Sequence, residues 1–189
     1  MDREGRRALV SSLAAHEPAD EKEAQDLARI RMFVAGHDDP WDRRIPTGHL
    51  TGSALVLSAD AGQVLLLHHR KLERWLQPGG HADTGESSGE SVALREALEE
   101  TGIERLALHP AAPRPLDVDV HDIPARPGEP AHQHLDLRYL VLAPAGAKLL
   151  PAIAELRDLR FFAWSDLGAL DLDAGLRRAL AKARAVAGA

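Results

Sequence analysis

The sequence predicts an α+β protein in which a β-sheet packs between helices, with a separate helical extension at the N-terminus. Three observations predict it. Residues 1–45 carry only helical periodicity, and short apolar runs of strand length dominate from Thr51 onward. One long helix interrupts those runs, and a second closes the chain.

Taken in order, Arg3–Ala15 places Leu9, Val10 and Leu13 on one side of a helix. Asp20-x-x-Glu23 is a capping box, and Ala24, Leu27, Ile30 and Val34 follow at helical spacing until His37-Asp-Asp-Pro40 ends the pattern. This extension is expected to pack on the main domain or on a second copy of the chain as a homodimer. Ala54–Leu57 and Val64–Leu67 are apolar runs separated by Ser58–Gly62, which reads as a hairpin. Trp75–Gln77 is a further short strand that Pro78-Gly-Gly80 is expected to break. A helix opened by a Ser87-x-x-Glu90 capping box runs to Thr101, and Gly102 ends it. Leu116–Ile123 and His132–Leu142 read as strands joined by the Pro124–Pro130 loop. Ala145–Ala154 reads as a mobile linker, Arg160–Trp164 as a late strand and Asp173–Ala187 as an amphipathic helix. The predicted units are 1–45 and 46–189.

Composition narrows the function. Hydrophobic residues make up 44% and charged residues 28%, enough to bury a core with Leu, Val and Ala, since aromatics are only 4%. A net charge of −6 argues against extended nucleic acid as a partner, which requires a basic face. The chain has no cysteine, which excludes disulfides and thiolate chemistry. No signal peptide is evident, and no run approaches the roughly 18 apolar residues of a membrane span. A soluble cytoplasmic protein is expected.

The sharpest signal is Arg95-Glu-Ala-Leu-Glu-Glu-Thr-Gly102. Successive helical residues lie about 100° apart, so Glu100 falls about 40° and Glu99 about −60° from Glu96. Three carboxylates then share one face, and Leu94, Ala97, Leu98 and Thr101 are expected to pack on the sheet from the other. Clustered anions repel one another. Mg²⁺ or Mn²⁺ reverses that sign, because hard cations prefer carboxylate oxygens and keep positions open for water and phosphate. A solvated acidic face is the plain alternative. Against it, Gly79-Gly80 allows close backbone approach, and a glycine-rich loop leading into a helix N-terminus suits an anion.

Gly80-x5-Glu86 followed by Arg95-Glu96-Ala97-x-Glu99-Glu100-x-Gly102-Ile103 resembles the signature of the Nudix family. The resemblance implies a Nudix-like α/β/α sandwich with a mixed sheet. It also implies that water attacks a nucleoside diphosphate linked to another moiety. Glu96, Glu99 and Glu100 would hold Mg²⁺ or Mn²⁺, joined by the backbone carbonyl of Gly79 or Gly80, and Arg95 would orient Glu96. Glu99 or Glu100 would take the proton of the attacking water. One departure is present: eight residues separate Glu86 from Arg95 where the family has seven. Counted back from Arg95, the motif's Glu position falls on Ser87, so the role of Glu86 is open.

Ten histidines are unevenly placed. His49, His68, His69 and His81 flank the signature. His132, His134, Asp136 and Arg138 alternate along one presumed strand, and Asp117, Asp119 and His121 along another. If the two strands pair, one polar wall results. His81, His132, His134 and Asp136 are therefore candidates for substrate phosphates or for an additional metal ligand. Arg70 and Lys71, in a basic patch before the glycine loop, are candidates for a distal phosphate. Trp75 is read as core.

Two other readings stand beside a small-molecule diphosphate hydrolase. A non-catalytic ligand-binding or regulatory module would keep the fold without turnover. Isopentenyl-diphosphate isomerases share the fold and use histidines at positions that Pro46-Thr-Gly-His49 and Gly80-His81 resemble. Those enzymes rely on a cysteine that this chain lacks.

Overall fold

The computed structural model describes residues 1–150 and 156–189. Two helices open the chain, α1 (Arg3–Ala14) and α2 (Glu21–Gly36), each capped by an aspartate whose side chain accepts the amide of the third helical residue. Eight strands follow among the described residues. They are β1 (Gly48–Leu57), β2 (Gln63–His69), β3 (Arg74–Leu76), β4 (Gly79–His81), β5 (Ala107–Leu108), β6 (Asp117–Ile123), β7 (His132–Leu142) and β8 (Leu156–Ala163). Helix α3 (Gly89–Thr101) interrupts them after β4, and α4 (Ala174–Ala187) closes the chain.

All eight strands join one mixed sheet. Its centre is the parallel pair β1–β7, in register from Gly48↔Gln133 to Leu57↔Leu142. Antiparallel partners flank that pair: β2 and β4 on β1, and β5 and β6 on β7, with β3 and β8 added to β2. One face is covered by α1, α2 and α3, whose Leu9, Leu13, Leu27, Ile30, Val34, Val92 and Ala97 close over Leu50, Ala54, Leu135 and Leu137. On the other face, α4 lays Leu176, Ala179 and Leu180 on Leu55, Leu57, Leu66 and Leu140. Helices on both faces make the sandwich that the element order predicts. The N-terminal helices share the sheet's own core, with α2 lying across β6.

Several boundaries differ from expectation, each for a local reason. Strand β1 starts at Gly48 rather than Ala54 because its first half carries polar side chains that pair across the sheet instead of alternating with solvent. Gly79 and Gly80 do not break the pattern. They form β4, pairing with Ser53 and Gly52 at a point where the chain runs too close for a side chain. The cap of α3 is Ser88, not Ser87. Ser88 has the extended backbone of a cap (φ −119°, ψ 121°), and its hydroxyl accepts the Ser91 amide. The described part of the expected linker is pinned rather than mobile. The Leu150 amide donates to the Thr101 carbonyl at 2.9 Å, and Leu149 packs on the core. Its residues 151–154 lie outside the described residues.

Candidate active site

Helix α3 sits directly on β1. A side chain at Gly52 would meet the Gly89 carbonyl at 2.8 Å and Val92 at 2.9 Å, so only glycine permits this approach. The buried stripe of α3 runs through Gly89, Val92, Ala93, Ala97 and Thr101, and Leu98 is 44% exposed. Its orientation corrects the sequence expectation. Of Leu94, Ala97, Leu98 and Thr101, all expected to face the sheet, Ala97 and Thr101 are buried and Leu94 packs on the core, whereas Leu98 points outward. Glu96 and Glu100 lie one helical turn apart in register with Val92, so they border the buried stripe instead of opposing it.

Burial follows from that placement. Glu100 accepts the Gly79 amide at 3.0 Å, and a Cβ at Gly80 would lie 2.6 Å from the Glu96 carboxylate. Burial pushes the Glu100 carboxyl up to about 7, the Gly79 amide opposing the shift and the charges of Glu96 and Glu99 adding to it. Glu96 is raised as well, first by burial and then by Glu99 and Asp83, while Arg95 pulls the other way. The Glu99 side chain is 54% exposed.

One guanidinium ties the cluster together. Arg95 Nη1 donates to Glu96 at 3.0 Å and to Glu99 at 3.3 Å, and Nη2 donates to the His81 carbonyl at 2.6 Å. Nε and Nη2 both donate to one oxygen of Glu86, at 3.1 and 2.9 Å. Glu86 also accepts the Asp83 amide at 2.9 Å. Burial works against the Glu86 charge, but these hydrogen bonds outweigh it and hold its carboxyl below the usual range. Glu86, not Ser87, is thus the loop's contact with the helix, and the extra residue is absorbed at the Ser88 cap.

The donor set fits a hard divalent cation. Carboxylate oxygens are the ligands such an ion prefers: Glu96 and Glu100 border a backbone approach that a methyl group would fill, and both carry raised pKa values that a bound cation would reverse, while Glu99 lies further out toward solvent.

The polar wall lies on the sheet face opposite α3. Register pairing stacks it in three rungs across β6, β7 and β1: Asp117–Arg138–Ser53, Asp119–Asp136–Thr51 and His121–His134–His49. The first two rungs are internally satisfied. Asp136 is 2% exposed and accepts from Thr51 and Ser53 at 2.9 and 2.8 Å and from Arg138 Nε at 3.1 Å. Arg138 also meets Asp117 and Asp119 at 3.2 Å each. Arg178 of α4 donates to Asp117 and to the Val118 carbonyl, and Lys182 reaches Glu23 of α2. Asp136, expected among substrate contacts, is therefore occupied in joining strands.

The third rung is different. His49 is 1% exposed with neither ring nitrogen hydrogen-bonded, and its ring centroid lies 4.9–5.1 Å from those of His81, His132 and His134. Burial, then the neighbouring His81 and His132, lower its pKa to about 4. His81 and His134 are lowered too, mainly by burial. Sequence reasoning noted His49 but did not group it with the wall, because only the β1–β7 pairing brings it opposite His134. Arg70 and Lys71 occupy the exposed turn between β2 and β3, separated from β4 by all of β3.

The NUDIX domain family model matches residues 48–183. The chain belongs to the Nudix family. A protein of Lactococcus lactis subsp. cremoris (strain MG1363) named "Probable DHNTP pyrophosphohydrolase" is 34% identical over 119 residues, covering 62% of this chain and 64% of that protein. This chain thus spans a little under two thirds of that relative's length. Among solved structures, a Nudix family hydrolase from Clostridium perfringens aligns with a TM-score of 0.55 at 25% identity, over 73% of this chain and 97% of that one. A MutT Nudix hydrolase from Burkholderia pseudomallei aligns with a TM-score of 0.54 at 28% identity, over 72% of this chain and 98% of that one. No helix among the described residues is long and apolar enough to cross a membrane.

Proposed function

We propose that this Nudix protein hydrolyses a diphosphate linkage in a nucleoside diphosphate derivative or a related organic pyrophosphate, with Mg²⁺ or Mn²⁺. The observation that carries the reading is Arg95, whose guanidinium joins Glu86, Glu96, Glu99 and the His81 carbonyl. Glu96, Glu99 and Glu100, with the Gly80 carbonyl, would hold the cation. When bound, it neutralises charge on the diphosphate and lowers the pKa of a water.

The chain's own groups have distinct tasks. Arg95 fixes the carboxylate rotamers, so little reorganisation remains when substrate arrives. The exposed Glu99 is the side chain that water reaches most readily, which favours it over Glu100 as proton acceptor. Of the wall residues, His81 is the one that reaches this cluster, through its carbonyl to Arg95; with His132 and His134 beside it, it is assigned to the substrate's phosphates, and Arg70 and Lys71 to a distal phosphate. The net charge of −6 suits a small metal-chelated anion rather than extended nucleic acid.

The test is hydrolysis of a substrate panel with product identification, with DHNTP included because the Lactococcus relative carries it in its name. Mg²⁺- or Mn²⁺-dependent release of phosphate or nucleotide, abolished in Glu99→Gln, supports the reading. Ligand binding without turnover, unchanged by that substitution, overturns it in favour of a non-catalytic binding module.

A further inference from the structure

We infer that His49, His81, His132 and His134 form a second metal site, built for a borderline transition ion such as Zn²⁺ and chemically distinct from the carboxylate site on α3. The inference rests on the ring geometry and stands whether or not the carboxylate site turns over substrate. Nitrogens of His49, His132 and His134 all lie within 4.8 Å of one another. His81 Nε2 lies 3.1 Å from His134 Nε2. Tetrahedral ligation at Zn–N distances of about 2.0–2.1 Å needs nitrogens about 3.3 Å apart, so modest ring rotations close the set.

Tautomers support the same assignment. His132 Nδ1 lies 2.9 Å from the Pro130 carbonyl, which only accepts, so Nδ1 carries the proton and Nε2 presents a lone pair. That Nε2 is buried and has no hydrogen-bond partner, as have both nitrogens of His49. A backbone carbonyl that fixes one imidazole nitrogen and turns the other toward an ion is the usual outer support of a metal-binding histidine. Buried ring nitrogens without a partner are costly, and a bound ion would satisfy them.

The donor set selects the metal. Neutral imidazoles without thiolate suit Zn²⁺ and its neighbours in the transition series, whereas Mg²⁺ prefers oxygen. Glu129 Oε1 stands 3.8 Å from His132 Nε2 and can add one oxygen. His132 also lines a cavity of about 500 Å³ with Arg43, Arg44, Glu129 and Pro130, whose two arginines suit an anionic ligand beside the site. Strand β4 links the two sites. The Gly80 position abuts Glu96, and His81 gives its carbonyl to Arg95 and its ring to the imidazole cluster.

The test uses the untagged full chain, stripped with chelator and titrated with Zn²⁺ and Co²⁺ in excess Mg²⁺ that keeps the carboxylate site filled. The expected result is one equivalent bound, with the visible absorption of Co²⁺ in nitrogen-rich, low-coordinate geometry. Affinity should weaken more than about 10-fold in His132→Gln and His49→Gln, and hold in Glu99→Gln. Shifts of imidazole nitrogen resonances in the unsubstituted protein on adding Zn²⁺ provide a readout that needs no variant to fold. No stoichiometric uptake, uptake lost in Glu99→Gln but kept in the histidine variants, or unmoved imidazole resonances would each overturn the site.

Discussion

Glu86 places one carboxylate oxygen 2.9 Å from Arg95 Nη2 and 3.1 Å from Nε, although eight residues separate the two in the chain. The turn from Asp83 to Glu86 folds the loop back through the Glu86 amide and the Asp83 carbonyl, and Ser87 and Ser88 then carry the chain to the helix. Glu86 thus reaches Arg95 from the loop, with the helix cap falling at Ser88.

Arg95→Lys tests that relationship. Lysine keeps the charge but not the planar fork that reaches four acceptors. The kcat is expected to fall about 100-fold, as for a small misplacement of catalytic groups, with KM little changed. Steady-state kinetics with a circular dichroism melt checks this, and an unchanged kcat would remove Arg95 from the positioning role.

Gly80→Ala tests the backbone approach. The added methyl would stand 2.6 Å from Glu96, the mobile end of a side chain that can move aside. Stability is expected to change by no more than about 1 kcal/mol, while Glu96 swings out of the cluster. The Mg²⁺ concentration for half-maximal activity should rise, and a metal titration with unaltered midpoint would count against the cradle.

Glu23 gives a pH prediction. It is fully buried. Burial alone would raise its carboxyl, but hydrogen bonds from His16, the Ala19 amide and Lys182 outweigh it and hold the group far below its ordinary value of 4.5. A folded-state pKa below the unfolded one means the contribution is complete above that ordinary value and lost as pH falls below it. The melting temperature should therefore drop on acidification from about pH 7 to about pH 3, and Glu23→Gln should flatten the drop. The same substitution should cost about 3 kcal/mol near neutrality, or roughly 6–12 °C in melting temperature.

Arg138→Met addresses the wall behind the histidines. Arg138 is 3% exposed and serves Asp117, Asp119 and Asp136 together. Removing it leaves buried carboxylates short of a partner, which typically costs about 3–5 kcal/mol. Urea denaturation should show that loss, and a variant within about 1 kcal/mol of the parent would mean that Arg178 carries the compensation instead.

Local patterns were sufficient for much of this protein. The helices α1, α2 and α4, the β1–β2 hairpin, strands β6 and β7 and the acidic helix were all legible, because apolar spacing and capping residues act over a few positions. The two-residue strand β5 and the glycine strand β4 were not, since neither carries apolar alternation and both exist only through their partners. The rotation of α3 was also missed. Helical spacing placed Leu98 on the sheet-facing side with Ala97 and Thr101, whereas Leu98 is 44% exposed and Gly89 and Val92 make the close approach to β1.

By itself, the sequence determined that a helix with three glutamates follows a glycine loop inside a strand-rich domain, because those signals lie within one contiguous stretch. Only the tertiary structure decided that Glu86 is the residue Arg95 holds, that Asp136 is locked among Thr51, Ser53 and Arg138, and that His49 joins His134. These are contacts between segments far apart in the chain. They depend on parallel pairing of β1 with β7, and no periodicity within either strand specifies that partner or that register.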